Sequence, residues 1–387
     1  MGTPQDRCLS QSKLKKTLDT QVSAGRVVYA MSQCYSGGFH KMSIKEVGGY
    51  PTAETRVCGF TAITEDETAS GCTADVDGPG YQGYERSFTE QLTGIDVVSG
   101  KKLREPRASI LEAHQAATLE DQAKDIPLST SDFFLWKWAL AFENKNSSAA
   151  SVVNAAMLGR DSLADKSYKA KEVFVYAMTE VFAKAYPADA AKLKGSIADL
   201  QELEATYASQ LMLQQIELNR VGNALANAEV ALLQRFNLHV QSGTSVLTPM
   251  ESRLELNFFG ALDQRFGYGA ADQEALMQLS ILSLTRPSDA AALADYKSKR
   301  AKYAQEWALG SGEPRLVSLA NNILKMRPQV ERGSEAYGDL QSAQGHARRL
   351  LIYRQALGAW QALAKTQNMK ALAELAGLVT CESASLR

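Results

Sequence analysis

The chain has 387 residues, with 42 Lys and Arg against 43 Asp and Glu, and 45% of it is hydrophobic. A near-neutral balance without a basic block argues against nucleic acid as the main partner, and no run of about 18 apolar residues offers a membrane span. The length is enough for a sizeable core and sets two or three domains as the starting expectation.

Residues 1–9 read as loop, and the start MGTPQDRC is polar and has no signal-peptide pattern. Ser10–Thr20 opens on a capping serine and spaces Leu14 and Leu18 one turn apart, which predicts a short amphipathic helix. Arg26–Met31 is a short apolar, β-branched run and reads as a buried strand. It ends in Ser32-Gln33-Cys34-Tyr35-Ser36-Gly37-Gly38, followed by a polar loop through Tyr50-Pro51. Arg56–Ile63 is a second candidate strand, and Thr64–Gly71 after it is an acidic, small-residue loop holding Glu65, Asp66 and Glu67. Asp75–Gly83, rich in Gly, Pro and Asp, reads as loop, and Tyr84–Leu92 as helix. A Ser-Gly turn inside Ile95–Leu103 suggests a hairpin at the domain's edge.

From Ala108 onward apolar residues recur at three- and four-residue spacing. Helices are expected at about 108–121, 131–145, 165–185, 190–236, 249–265, 271–284, 288–309, 314–326 and 335–378. The 190–236 stretch carries a helical stripe, but its register is too irregular for a coiled coil. No fixed-period repeat and no chemical motif stands in this part.

The chemistry-bearing residue is Cys34. A thiol at the C-terminal end of a parallel strand points into the crevice where open α/β sheets bind ligands, and Ser36 and Gly37 after it would let a substrate backbone approach. Five cysteines (8, 34, 58, 72 and 381) make an odd count, with Cys34 the one that has a reason to stay free. Cys58 and Cys72 bracket a loop; they pair if the chain is in an oxidising compartment, exported or periplasmic, or stay reduced in a cytoplasmic one. No CxxC or Cys/His cluster suggests zinc, and no nucleotide motif is present, so neither metal nor cofactor is expected.

The strand into Cys34 followed by Ser-Gly-Gly resembles the nucleophile strand of the caspase-like cysteine peptidases, the group of caspases, legumains and gingipains. The acidic loop after the next strand and the helix that follows extend the resemblance over about residues 1–125. It implies an α/β caspase-like domain at 1–125, with a partial parallel sheet, followed by a mainly α-helical region at 126–387. The implied activity is endopeptidase, with Cys34 attacking a peptide carbonyl as thiolate. The backbone N–H groups of Cys34 and Gly2 would form the oxyanion hole, and Glu65, Asp66 and Glu67 would wall a pocket favouring Arg or Lys. The group's general base is a His followed by Gly, ahead of the Cys. Here no His precedes Cys34, and Met1-Gly2-Thr3-Pro4 stands in that place, 33 residues upstream. The expectation is a chain cut at or inside the catalytic motif and inactive as given. His40, six positions after Cys34, is the substitute base to test; its plain reading is a solvated loop histidine, and that of His114 a surface or core-edge one. The competing reading is a non-catalytic caspase-like domain whose helical region binds a partner protein.

Overall fold

The computed structural model describes residues 10–22, 25–70, 83–145, 166–243, 298, 301–302 and 304–385. Gly2, Cys72 and the helices expected at 249–265 and 271–284 lie outside them, as does most of that expected at 288–309. The first element is α1 (Gln11–Gln21), whose N-terminus is capped as expected by the Ser10 side chain, which accepts from the Lys13 N–H. Then come β1 (Val27–Met31), β2 (Ile44–Val47), β3 (Tyr50–Ala53) and β4 (Val57–Thr61). The segment read as a polar loop is thus an antiparallel hairpin, with Ile44 opposite Ala53 and Val47 opposite Tyr50. Gly48 and Gly49 turn it, both at positive φ (60° and 76°), the pair of conformations a tight two-residue hairpin turn needs.

β1 and β4 pair in parallel from Val27–Val57 to Met31–Thr61, and β4 pairs antiparallel with the short β5 (Leu128–Ser129). The result is a three-stranded mixed sheet in the order β1-β4-β5. β4 is central and buried at all five residues, which is why it reads as a continuous apolar run rather than an alternation. Gly59 on it is required by space: a Cβ there would lie 2.3 Å from the Tyr29 carbonyl oxygen and 2.5 Å from its ring.

The remaining elements are helical: α2 (Tyr84–Thr93), α3 (Ile110–Glu120), α4 (Thr130–Lys145), α5 (Lys166–Ala185), α6 (Ala190–Lys194), α7 (Ile197–Gly243), α8 (Pro314–Lys365) and α9 (Met369–Glu382). Two boundaries differ from expectation. The 190–236 helix breaks at Gly195-Ser196, where Asp199 accepts from the Ser196 N–H at 2.6 Å and hydroxyl at 2.7 Å and so starts α7 anew. The helices expected at 314–326 and 335–378 run together as α8 through Pro328, and end instead where Gln367 takes a left-handed φ of 51° and Asn368 caps α9. None of the described helices is long and apolar enough to cross a membrane.

The expected division at residue 125 is not where the chain divides. One compact unit joins residues 1–211 to 338–387, and a second comprises 212–337. The first unit's core runs straight across residue 125, from Phe60, Ile63 and Phe88 to Leu128, Phe133, Tyr353, Leu375 and Leu378. A disulfide between Cys58 on β4 and Cys381 on α9, 323 residues apart, ties its two ends. Cys58 therefore does not pair with Cys72. The second unit has its own small cluster of Leu232, Ala304, Ala308, Leu316, Ala320 and Ile323.

Candidate functional site

Cys34 follows the C-terminal end of β1, as the sequence suggested, but its surroundings differ from an open glycine loop. Tyr35 takes a left-handed conformation (φ 60°), and Ser36–Met42 winds into a 3₁₀ helix. Ser36 and Gly37 are buried beneath the acidic loop instead of facing a ligand. A Cβ on Gly37 would lie 2.6 Å from the Glu65 nitrogen, so the close approach that this glycine permits is made by the chain's own backbone. The Tyr35 N–H donates to the Glu67 carbonyl at 2.8 Å, and Cys34 Sγ lies 4.0 Å from the Ala69 carbonyl oxygen. Cys34 is half-buried and is itself disulfide-bonded. The expected free thiol is therefore masked in this state, while Cys8 and Cys72 lie outside the described residues.

The three acidic residues split. Glu65 turns to Lys41 and to Lys137, the latter at 3.1 Å. Burial alone would raise its pKa, but those two ammonium groups outweigh burial and hold it below the ordinary carboxylate range. Asp66 and Glu67 instead pair with Arg348 of α8, Asp66 at 3.6 Å. Beside them is a partly open cavity of about 370 Å³, lined by Tyr35, Asp66, Glu67, Lys124, Gln344 and Arg348 among others. The acidic wall exists, but Glu65 is not part of it, and its two carboxylates already hold an internal guanidinium.

His40 is not available as a base. It is fully buried, with Nδ1 3.0 Å from both Tyr29 Oη and Thr130 Oγ1 and Nε2 3.0 Å from Thr61 Oγ1. Its ring stacks on Phe133 at 4.8 Å. Burial, helped by His114, lowers its pKa to about 3, so it is neutral and both ring nitrogens are engaged. The 3₁₀ turn after Cys34 carries His40 inward, where a loop would have left it in water.

No known family, characterised protein or solved structure matches the chain. What the site can do is therefore argued from its own geometry.

His114 and His346 repeat the His40 pattern, each fixed by a tyrosine. His114 lies 2.7 Å from Tyr84 Oη and 3.3 Å from Tyr353 Oη; His346 lies 2.9 Å from Tyr186 Oη and 3.2 Å from the Asp121 carbonyl. Burial lowers both, His346 to about 3. Burial also raises the carboxyls of Asp125 and Glu143 and, to about 8, those of Asp121 and Glu382. These two sets fix how stability depends on pH. Between about pH 5 and 6.5 the unfolded chain gains imidazole protons that His40 and His346 do not take up in the native state, while Asp121 and Glu382 keep native carboxyl protons that the unfolded chain has lost, so the two pairs oppose each other and stability is nearly flat. Below about pH 4 the unfolded carboxyls also protonate, and stability falls by about 3 kcal/mol per pH unit for the two protons that His40 and His346 take up only on unfolding. Above pH 6.5 the imidazole difference is gone and the native acids must ionise, so stability also declines as pH rises through about 8. Urea midpoints measured across pH 3.5–8.5 should trace this plateau with two falling limbs; a steady rise from pH 5 to pH 8 would contradict the buried-neutral assignment.

Proposed function

We propose that the chain is the nucleophile-bearing part of a caspase-like cysteine peptidase, with Cys34 held latent as a disulfide and a peptide site walled by Asp66 and Glu67. The single observation that carries this reading is the position of Cys34. It follows the C-terminal end of a strand in a parallel pair, the end at which open α/β sheets bind ligands, and its neighbour Tyr35 lines a 370 Å³ cavity together with Asp66 and Glu67 of the acidic loop. Reduction would release Cys34 as a thiol. In the reaction the resemblance implies, its thiolate adds to the scissile carbonyl and a histidine donates the proton to the leaving amine. Among the described residues no histidine serves that purpose, so turnover requires a base supplied from elsewhere. A basic side chain entering the site must displace Arg348. Two bonded cysteines in addition to Cys34 favour an oxidising compartment and so support an exported or periplasmic location.

The oxidised Cys34 and the buried His40 favour a second reading, a non-catalytic module that binds a partner protein. A peptide-directed affinity label separates the two without needing turnover. After mild reduction, an acyloxymethyl ketone carrying a Lys or Arg side chain should alkylate Cys34, forming a thioether and releasing its carboxylate. Labelling should be faster than with the acidic analogue, and faster again in Arg348→Ala, where Asp66 and Glu67 are vacated. Equal rates for basic and acidic reagents, no faster than iodoacetamide, would remove the peptidase reading and leave the binding module.

A further inference from the structure

Four large apolar side chains stand exposed within nine residues of the first unit: Ile95, Val97, Val98 and Leu103, each 44–50% accessible. Isolated exposed apolar residues need no explanation, but a group of this kind on one small element does. The element is built rigidly. Ile95 and Lys102 bridge antiparallel, and the Asp96 N–H donates to the Lys101 carbonyl at 2.9 Å. Asp96 Oδ1 accepts from the Val98 and Ser99 N–H groups at 3.1 and 2.6 Å, and Gly100 closes the turn at φ 68°. At the base, the Gly94 carbonyl accepts from Leu103 and Arg104, and a Cβ on Gly94 would lie 2.3 Å from the Arg104 carbonyl oxygen. The hairpin thus fixes Val97 and Val98 at its exposed tip, where no core can receive them.

The stem is basic. Residues 95–107 carry Lys101, Lys102, Arg104 and Arg107 against Asp96 and Glu105. Asp96 already faces Arg86 at 3.5 Å. Lys101 makes no ion pair among the described residues, and Arg107 Nε donates to the neutral Gln91 side chain at 2.7 Å. Lys102–Glu105 is an exposed pair and Arg104–Glu120 a partly exposed one, the kind that contributes little and exchanges readily for another anion. An apolar tip with cations just behind it matches an interface whose acyl region is apolar and whose headgroups are anionic. A convex turn suits a fluid lipid surface, which needs no preformed cleft, better than it suits a folded partner.

We infer that the 95–107 hairpin docks the protein peripherally on an anionic lipid surface, with Val97 and Val98 entering the interface and the stem cations on the headgroups. The test is co-sedimentation of the full chain with phosphatidylcholine vesicles, with and without a minority of phosphatidylglycerol. Binding is expected only to the anionic vesicles, and it should weaken with added salt. Lys101→Gln with Lys102→Gln should lower partitioning about thirty-fold, at roughly five-fold per cation. Val97→Asp with Val98→Asp should abolish binding while leaving the thermal midpoint unchanged, since neither side chain packs on the core. No binding to anionic vesicles would overturn the inference. So would binding that survives both double substitutions, or an acidic protein that is captured through this hairpin while vesicles are not.

Discussion

Replacing Arg349 by methionine should destabilise the first unit by about 3–5 kcal/mol, the cost of leaving buried polar partners uncompensated. Arg349 is fully buried on α8, and its guanidinium serves one loop almost alone. Nη2 donates to Asp121 Oδ2 at 2.7 Å and to the Ala123 and Asp125 carbonyls; Nη1 donates to the Thr118 and Asp121 carbonyls, and Nε to Asp125. Methionine keeps the volume and removes every one of these donors. Asp121 would then meet the loss by remaining protonated, which burial already favours, but the carbonyls have no such escape. A double-mutant cycle with Asp121→Leu separates the Asp121 side chain from the loop carbonyls. If the Asp121 contact dominates, Arg349→Met with Asp121→Leu recovers most of the loss; if the carbonyl clamp dominates, the pair of changes stays nearly as costly as Arg349→Met alone. Urea unfolding reads both, and a single-mutant cost under about 1 kcal/mol would refute the clamp. The consequence reaches the candidate site, because the clamped loop includes Lys124 and the cavity residue Ile126, and because Gly345, one turn before Arg349, lets α8 approach Lys124 so closely that a Cβ would lie 2.5 Å from its Cα.

Much of the local structure was legible because its causes are local. The apolar run at Arg26–Met31 is β1, the acidic loop follows β4, and helices at 84–92, 131–145 and 165–185 fall within a residue or so of α2, α4 and α5. Each carries its own periodicity or cap. What was misjudged depends on contacts far along the chain. Nothing near His40 announces that Tyr29, Thr61 and Thr130 will enclose it. The partner of Arg349 is 228 residues away, and Arg348 is still farther from the acidic loop it neutralises. Gly37 shows the limit most clearly: its need for close backbone approach was readable, but not whose backbone would approach. The β2–β3 hairpin is the local miss, since Gly48-Gly49 between Val47 and Tyr50 is a turn signal that the polar flanks obscured. The caspase-like resemblance rests on the Cys34 strand and its acidic neighbour, and the architecture around them, a three-stranded mixed sheet with helices drawn from both ends of the chain, supports only the coarser description.

Removing the Cys58–Cys381 bridge should have an effect of similar size but a different signature. Closing a loop of 323 residues gives a chain-entropy estimate of about 6 kcal/mol, just above the range observed for single bridges, so a loss of about 5 kcal/mol is expected. Both sulfurs are buried, Cys58 fully and Cys381 at 1% exposure, so a reductant reaches them only through opening, and the substitution is the cleaner test. Alanine at both positions avoids burying hydroxyls. α9 keeps its other attachments in that variant: the Glu382 carboxyl accepts from the Ser131 N–H and hydroxyl at 2.6 Å each, and Glu374 accepts from the Ala53 N–H at 3.1 Å. The native fold should therefore persist with a lower urea midpoint. Because the cross-link restricts chiefly the unfolded chain, its loss lets that chain expand, and the m-value should rise. Arg349→Met acts on the native state and should leave m unchanged, so the slope tells the two mechanisms apart even where the midpoints coincide. A lower midpoint at constant m would mean that the bridge works through native packing of α9 on β4 instead, and stability unchanged within about 1 kcal/mol would mean that Glu382 and Glu374 suffice to hold that helix.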